Sequence, residues 1–256
     1  MEGFETSLDL VERTLDEVLP RADARPAVLH EAMRYAVGSG GKRIRPLVCL
    51  AAAEAVGGRA EDARYPAAAI ELLHNYTLVH DDLPAMDNDT ERRGRPTVWA
   101  KYGEANAILV GDALQALAFT VAADAPRNVA DIVATLGVAG LGVVQGQVED
   151  IAASKDVPFV YAHKTADLFV AAARMGATAG GGTAAQVERL GTFALHLGLA
   201  FQHEDDLLDG DSPLGRAEAE RQVREHTDAA LAALDGLPGD TSFLASLAAR
   251  LATRKS

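Results

Sequence analysis

Two short segments concentrate carboxylates at the ends of strongly apolar runs. The first is His80-Asp81-Asp82-Leu83-Pro84-Ala85-Met86-Asp87-Asn88-Asp89, preceded by Ile70, Leu72, Leu73, Leu78 and Val79. Asp81 and Asp87 lie six residues apart, which on an unbroken helix sets them far from a common face. They converge only if the helix gives way between them, and Pro84 with the polar residues after it supplies that break. The second segment is Gln202-His203-Glu204-Asp205-Asp206-Leu207-Leu208-Asp209, in which Asp205 and Asp209 are i, i+4 and share a face. Grouping carboxylates beside apolar surface is costly, through mutual repulsion and desolvation. A hard divalent cation between them offsets that cost. Mg²⁺ takes oxygen ligands and commonly combines one or two carboxylates with phosphate oxygens of a substrate. The bland alternative is a pair of solvated acidic helix ends, and two such motifs, each after a long apolar helix, weigh against it.

Basic residues sit where a phosphate would need them. Gly40-Gly41-Lys42-Arg43-Ile44-Arg45-Pro46 joins a glycine turn to an expected helix start, where backbone amides add anion affinity. Lys42 and Arg45 are i, i+3 and are expected to face one side. Arg92-Arg93-Gly94-Arg95-Pro96 follows the first acidic motif in a chain with 24 Lys and Arg against 37 Asp and Glu, so a local basic cluster is informative. Lys164-Thr165 is expected to open a helix at 166, and a snorkelling lysine beside a cap is its structural alternative. His74 stands seven residues before Asp81 on the same helical stripe, which turns it toward the acidic motif; a lone histidine on such a face is otherwise a core residue.

These residues need a scaffold, and the sequence around them is helical. Alanine is abundant, and strand-type alternation is scarce. Helices are expected over 5–19, 27–37, 46–56, 66–83, 104–123, 127–149, 160–180, 183–209, 215–234 and 241–253, with glycine and proline at the joints. No fixed-period repeat or long linker divides the chain, so residues 1–256 read as one all-α domain, with helices apolar on more than one face inside a bundle. A net charge of −13 argues against nucleic acid and against an anionic membrane surface as partners. The longest nearly apolar stretch, 132–144, is too short to span a bilayer. No secretory signal is evident, and the cytoplasm is the default compartment. The one cysteine, Cys49, excludes an intrachain disulfide and reads as a small core residue.

Taken together and in order, Gly-Gly-Lys-Arg-Ile-Arg-Pro at 40–46, the run from Glu71 through Asp89, Arg92-Arg93-Gly94, Gly146-Gln147-Val148-Glu149-Asp150, Lys164-Thr165 and Phe201 through Asp209 resemble the trans-polyprenyl diphosphate synthase family, which includes farnesyl and geranylgeranyl diphosphate synthases. The resemblance implies an isoprenoid-synthase-type bundle of about ten or more helices around a central apolar cavity. It implies a Mg²⁺-dependent prenyltransferase, typically a homodimer, that joins isopentenyl diphosphate to an allylic diphosphate. Asp81, Asp87 and Asp205, with Asp82 and Asp209, would hold Mg²⁺. Arg92, Lys164, Thr165 and Gln202 would contact the allylic diphosphate; Gly41, Lys42, Arg45, His74 and Arg93 would bind isopentenyl diphosphate. Tyr76 and Thr77, five and four residues before Asp81, would form the floor that sets product length, and an aromatic there resembles enzymes of the C15 type, with C10 or C20 as alternatives.

The chain departs from that pattern in two places. The stretch between Asp150 and Lys164 is short, and after Asp209 a lysine-containing segment is missing, so that Gly210 leads almost directly to a helix beginning near Arg216. Arg216 is expected to stand in for the missing lysine. Two other functions on the same scaffold remain: a class I terpene cyclase, which needs no isopentenyl site and is disfavoured by Lys42, Arg45, His74 and Arg93, and a non-catalytic modulating subunit, which would tolerate loss of the carboxylates that this chain keeps.

Overall fold

The computed structural model describes residues 2–210 and 212–251. The chain is all-α. In order it forms α1 (Glu2–Val18), α2 (Ala27–Val37), α3 (Ile44–Ala55), a 3₁₀ turn (Ala60–Ala63), α4 (Arg64–Asp81), α5 (Val98–Tyr102), α6 (Glu104–Ala122) and α7 (Val129–Ile151). There follow α8 (Val157–Val160), a π turn (Tyr161–Ala166), α9 (Asp167–Ala179), α10 (Ala184–Asp209), α11 (Arg216–Ala233) and α12 (Ser242–Leu251). Among the described residues the only strands are β1 (Glu91–Arg92) and β2 (Arg95–Pro96), an antiparallel pair.

Helices α4 and α9 run through the interior. Ala67, Ala68, Ala69, Ile70, Leu72 and Leu73 are buried on every side of α4, as are Leu168, Phe169, Ala171, Ala172, Ala173 and Met175 on α9. Alanine is the strongest helix former and takes little width, so a helix rich in it can be surrounded closely. Where α9 crosses α3, a Cβ on Gly176 would lie 1.9 Å from the Cys49 carbonyl oxygen, so only glycine permits this approach. Cys49 is fully buried there and burial pushes its thiol well up, which fits the core role read from its neighbours.

The helices expected from the sequence form, with ends shifted by a few residues. Residues 252 and 253 of the last expected helix, like Asp211 in the shortened connection, lie outside the described residues. Three expectations are corrected. Helix α3 begins at Ile44 after a left-handed Arg43 (φ 47°), so Lys42 precedes the helix and does not share a helical face with Arg45. Lys164 and Thr165 do not open a helix; they sit inside the π turn that joins α8 to α9. The apolar stretch 132–144 belongs to the 23-residue α7, which, like α6, is long and apolar enough by length and composition to cross a membrane. Each buries one side in the bundle, through Val110 and Leu114 on α6 and Ile132, Leu136 and Val143 on α7. The other side exposes Ile108, Leu109, Val138, Leu141, Val144 and Val148.

Candidate active site

The first acidic motif takes shape where α4 stops. Asp81 is the last residue of α4, and the chain then turns through Pro84 so that the Asp87 N–H donates to the Asp81 carbonyl oxygen at 2.9 Å. The break expected at Pro84 therefore brings the two aspartates together. Burial, with the charges of Asp87 and Asp82 adding to it, pushes the Asp81 carboxyl up to about 6, while Lys164 and Arg92 oppose that shift. At this carboxylate burial outweighs the two nearby cations. Asp82 is different. It is buried and accepts from Arg92 at 2.7 Å and 2.8 Å, so the carboxylate expected on a metal and the guanidinium expected on a substrate hold each other. The β1–β2 hairpin, with Asn88 and Arg93 in left-handed backbone, folds Arg92 back over the motif.

The second motif closes α10, the longest helix described. A capping box fixes its start: the Gln186 N–H donates to Thr183 Oγ1, and the Thr183 N–H donates to Gln186 Oε1. A left-handed Gly210 fixes its end. Asp206 points inward, accepting from Tyr161 OH and from Gln202 Nε2 at 2.8 Å. Thr165 Oγ1 donates to Gln202 Oε1 at 2.6 Å, so the π turn and α10 are tied by one network. Asp205 lies near enough to Arg45 to support its charge, and Asp209 is exposed at the last turn. Lys164 Nζ donates to Asp150 at 2.5 Å. Gln147, one turn before Asp150, is buried with both side-chain polar atoms lacking a protein partner. Gln147, Asp150, Tyr161 and Asp206 carry the site without having been singled out as site residues, although Gln147 and Asp150 lie in the Gly146–Asp150 motif. Asp206 lies in the second acidic motif, and the signal for Tyr161 is three-dimensional.

The basic residues converge on a cavity of about 610 Å³ lined by Gly41, Lys42, Arg45, His74, Leu78, Arg93, Thr165, Phe169, Phe201 and Gln202, together with Arg43, Ile44 and Glu71. Arg45 lies over the Phe169 ring at 4.6 Å and donates to His74 Nε2 at 3.3 Å. Burial holds Arg45 down to about 10, and burial with the surrounding guanidiniums keeps His74 well below its usual value, so His74 is neutral. The left-handed Arg43 is turned away. It bonds Glu71 at 2.8 Å, Glu12 at 2.7 Å and the Val37 carbonyl at 2.8 Å, which locks the strained turn presenting Lys42 and Gly41. Arg93 donates to the Gly40 carbonyl oxygen.

Tyr76, Thr77 and Arg216 fall outside this cavity wall. Tyr76, two residues past His74, points about 200° around α4. Its ring meets His80 at 5.0 Å, and His80 bonds the Ile108 carbonyl of α6 at 3.1 Å. Thr77 Oγ1 donates back to the His74 carbonyl at 2.8 Å. Any chain they limit would run between α4 and α6. Arg216 opens α11, is 86 % exposed and bonds Glu220 at 2.9 Å one turn along the same helix, so it is not placed on the cavity wall as a stand-in for the missing lysine.

The residues fit Mg²⁺. Among the described residues no three His, Cys, Asp or Glu side chains form a ready-made metal nest. Mg²⁺ does not require one, because it retains waters and shares phosphate oxygens. Asp81 and Asp87, brought to one turn, offer the carboxylates such an ion uses.

The family described as polyprenyl synthetase matches residues 26–216. The geranylgeranyl pyrophosphate synthase of Capsicum annuum, named as chloroplastic, is 45 % identical over 213 residues, 78 % of this chain and 57 % of that protein. The geranylgeranyl diphosphate synthase of Cyanophora paradoxa is 41 % identical over 215 residues, 78 % of this chain and 71 % of that protein. The crystal structure of an FPP/GFPP synthase from Zymomonas mobilis superposes with a TM-score of 0.88 at 36 % identity, covering 95 % of this chain and 96 % of that one. The chain thus spans under three fifths of the Capsicum relative, yet nearly all of the solved bacterial one.

Proposed function

The chain belongs to the polyprenyl synthetase family, and we propose that it is a short-chain trans-prenyltransferase that condenses isopentenyl diphosphate with an allylic diphosphate. The observation that carries this reading is the adjacency of two unlike anion sites: an acidic turn that brings Asp81 and Asp87 together, beside a cavity lined by Lys42, Arg45 and Arg93. Two diphosphates can dock there by different means.

The allylic diphosphate is held beside Asp81, Asp87 and Asp205, with Lys164, Arg92, Thr165 and Gln202 in contact. Asp81 and Asp87 would hold Mg²⁺, which when bound would supply positive charge against that building on the leaving group. Isopentenyl diphosphate is held by Lys42, Arg45, Arg93, His74 and the Gly41 amide. The allylic C–O bond breaks and pyrophosphate departs with the electron pair. The alkene of isopentenyl diphosphate forms the new C–C bond, and loss of a proton to the departing pyrophosphate restores a double bond. The protein supplies position and electrostatics and needs no nucleophile. Phe169, Phe201 and Leu78 keep the reacting carbons away from water.

The names of the curated relatives favour a C20 product. Tyr76 supports a C15 product. Incubation with labelled isopentenyl diphosphate and each allylic starter, with and without Mg²⁺, followed by product sizing, tests both. Mg²⁺-dependent product of C15 to C20 is expected. No product under any condition, or hydrocarbon release from farnesyl diphosphate alone, overturns the reading. Tyr76→Ala is expected to lengthen the product, and an unchanged length removes Tyr76 as the floor.

We read residues 1–256 as one domain and a second copy of the chain as its partner. The exposed apolar side chains of α6 and α7 are the surface a homodimer would cover. The cytoplasm is the proposed compartment, and a plastid is the second, after the Capsicum relative; a fluorescent fusion in the native host separates them.

A further inference from the structure

The segment that carries Lys164 and Thr165 winds one residue wider than an α turn, as the π turn Tyr161–Ala166. Such turns are rare, are held only by their surroundings, and are frequent at functional sites. Here three glycines make the surroundings fit. On α7, a Cβ at Gly146 would lie 2.4 Å from the Lys164 backbone nitrogen, and one at Gly142 would lie 1.9 Å from Asp167 Oδ2. On the opposite side, a Cβ at Gly198 of α10 would lie 2.7 Å from Ala166 Cα. The turn is therefore gripped between two helices with no space for an added methyl.

A side-chain bond closes the turn lengthwise. His163 Nδ1 and Asp167 Oδ2 are 2.8 Å apart; the carboxylate can only accept, so the imidazole Nδ1–H donates. The Phe159 ring backs His163 at 4.2 Å. The pair brackets Lys164 and Thr165 and occupies the notch beside Gly142, while Lys164 reaches Asp150 and Thr165 reaches Gln202. If the π turn relaxed to an α turn, the register would slip by one residue. Side chains before the slip would rotate by about 100° and leave those partners.

We propose that His163 and Asp167 are positioning residues: their hydrogen bond, seated in the notch at Gly142, holds the π turn and so aims Lys164 and Thr165 at the allylic diphosphate. This rests on the prenyltransferase reading and adds residues that act through Lys164 and Thr165 without touching substrate. Steady-state kinetics of Asp167→Ala and Asp167→Asn, with each substrate varied separately, test it. In Asp167→Ala, kcat/KM for the allylic diphosphate falls about 10- to 100-fold, while KM for isopentenyl diphosphate stays within about twofold. Asp167→Asn keeps an acceptor for His163 and recovers most of the loss. Gly142→Ala, which fills the notch but leaves the pair's side chains intact, shows the same one-sided defect. Wild-type allylic kinetics in Asp167→Ala, or equal losses toward both substrates, overturn the proposal. Should the wild type make no product, the prenyltransferase reading fails, and calorimetry with inorganic pyrophosphate and Mg²⁺ decides the positioning role: weaker binding to Asp167→Ala than to wild type supports it, and equal binding overturns it.

Discussion

The two halves of the site present cations in opposite ways. On the acidic half each cation already has a carboxylate: Arg92 is held by Asp82 and Lys164 by Asp150. At Asp81 burial outweighs the nearby Lys164 and Arg92. On the other half the cations face one another and the cavity. Arg45 donates to a neutral His74, Arg93 to a backbone carbonyl, and Lys42 stands exposed at the rim. Of the carboxylates nearby, Glu71 is taken by Arg43, and Asp205 lies close enough to Arg45 to support its charge. On the proposed reading, the difference teaches how a chain of net charge −13 would bind two diphosphates. One is met directly by unpaired basic side chains. On the proposed reading the other would need added divalent charge, because Arg92 and Lys164 already have carboxylate partners.

The largest effect should come from the acidic half. Asp81→Asn is expected to lower turnover about a thousandfold, the scale of losing a metal that stabilises the leaving group. Binding of isopentenyl diphosphate to the same variant, measured by calorimetry without Mg²⁺, should stay within about twofold; a parallel loss would mean that the halves are not separate. Next in size, Arg45→Met should raise KM for isopentenyl diphosphate about 10- to 100-fold, the worth of a charge-assisted contact, at every Mg²⁺ concentration. Rescue of this variant by Mg²⁺ would break the comparison.

Stability then distinguishes two neighbouring aspartates. Asp82 belongs to a partly buried ion pair, and Asp82→Asn should lower Tm by about 3–6 °C after allowance for the exposure of Arg92. Burial raises both carboxyls, so the contrast rests on Arg92, which Asp82→Asn leaves without its carboxylate; Asp81→Asn should raise Tm of the metal-free protein, because burial penalises its charged form. Differential scanning calorimetry reads both, and a same-sign shift refutes the contrast between paired and unpaired carboxylates.

The smallest effect concerns the support of the acidic half. Between α10 and α11, His196 Nδ1 and His226 Nδ1 are 2.9 Å apart, and His203 stacks on His226 at 5.8 Å. Burial, then the neighbouring histidines, lowers His226 to about 4; burial also lowers His196 and His203. Asp206, Glu218 and Glu225 are the carboxylates that face this seam. The folded state therefore binds fewer protons than the unfolded chain below the ordinary histidine value of 6.5. Stability is full above that pH and falls as the pH drops from 6.5 toward 4. Tm should fall by about 3 °C or more across that window, and His226→Leu should flatten the slope. An unchanged slope would show that the seam does not carry it.

Much of this site was legible because its chemistry is local. The break at Pro84, the i, i+4 pair Asp205 and Asp209, and the stripe from His74 to Asp81 follow from helical geometry over a few residues. The helices were legible for the same reason: alanine, periodic apolar positions and glycine stops act within a turn or two. What was misread depends on contacts far along the chain. Lys42 leaves the helical face because Arg43 is drawn inward by Glu12 and Glu71, 31 and 28 residues away. Lys164 and Thr165 lie in a π turn because Gly146 and Gly198 let two other helices press on it. Asp82 answers to Arg92 because a hairpin folds back across the motif. Arg216 looked like a substitute for a missing lysine in the linear order, but at the start of α11 it stands in solvent with Glu220.

The sequence by itself determined the all-α architecture, the two acidic motifs and the basic set that faces them, since residue type and short spacing decide which groups can share a helix face. The tertiary structure alone decided which of those charges are free to meet a ligand and which are already paired. A charge is neutralised by whatever lies a few ångströms away, and in a helical bundle that neighbour usually comes from another helix.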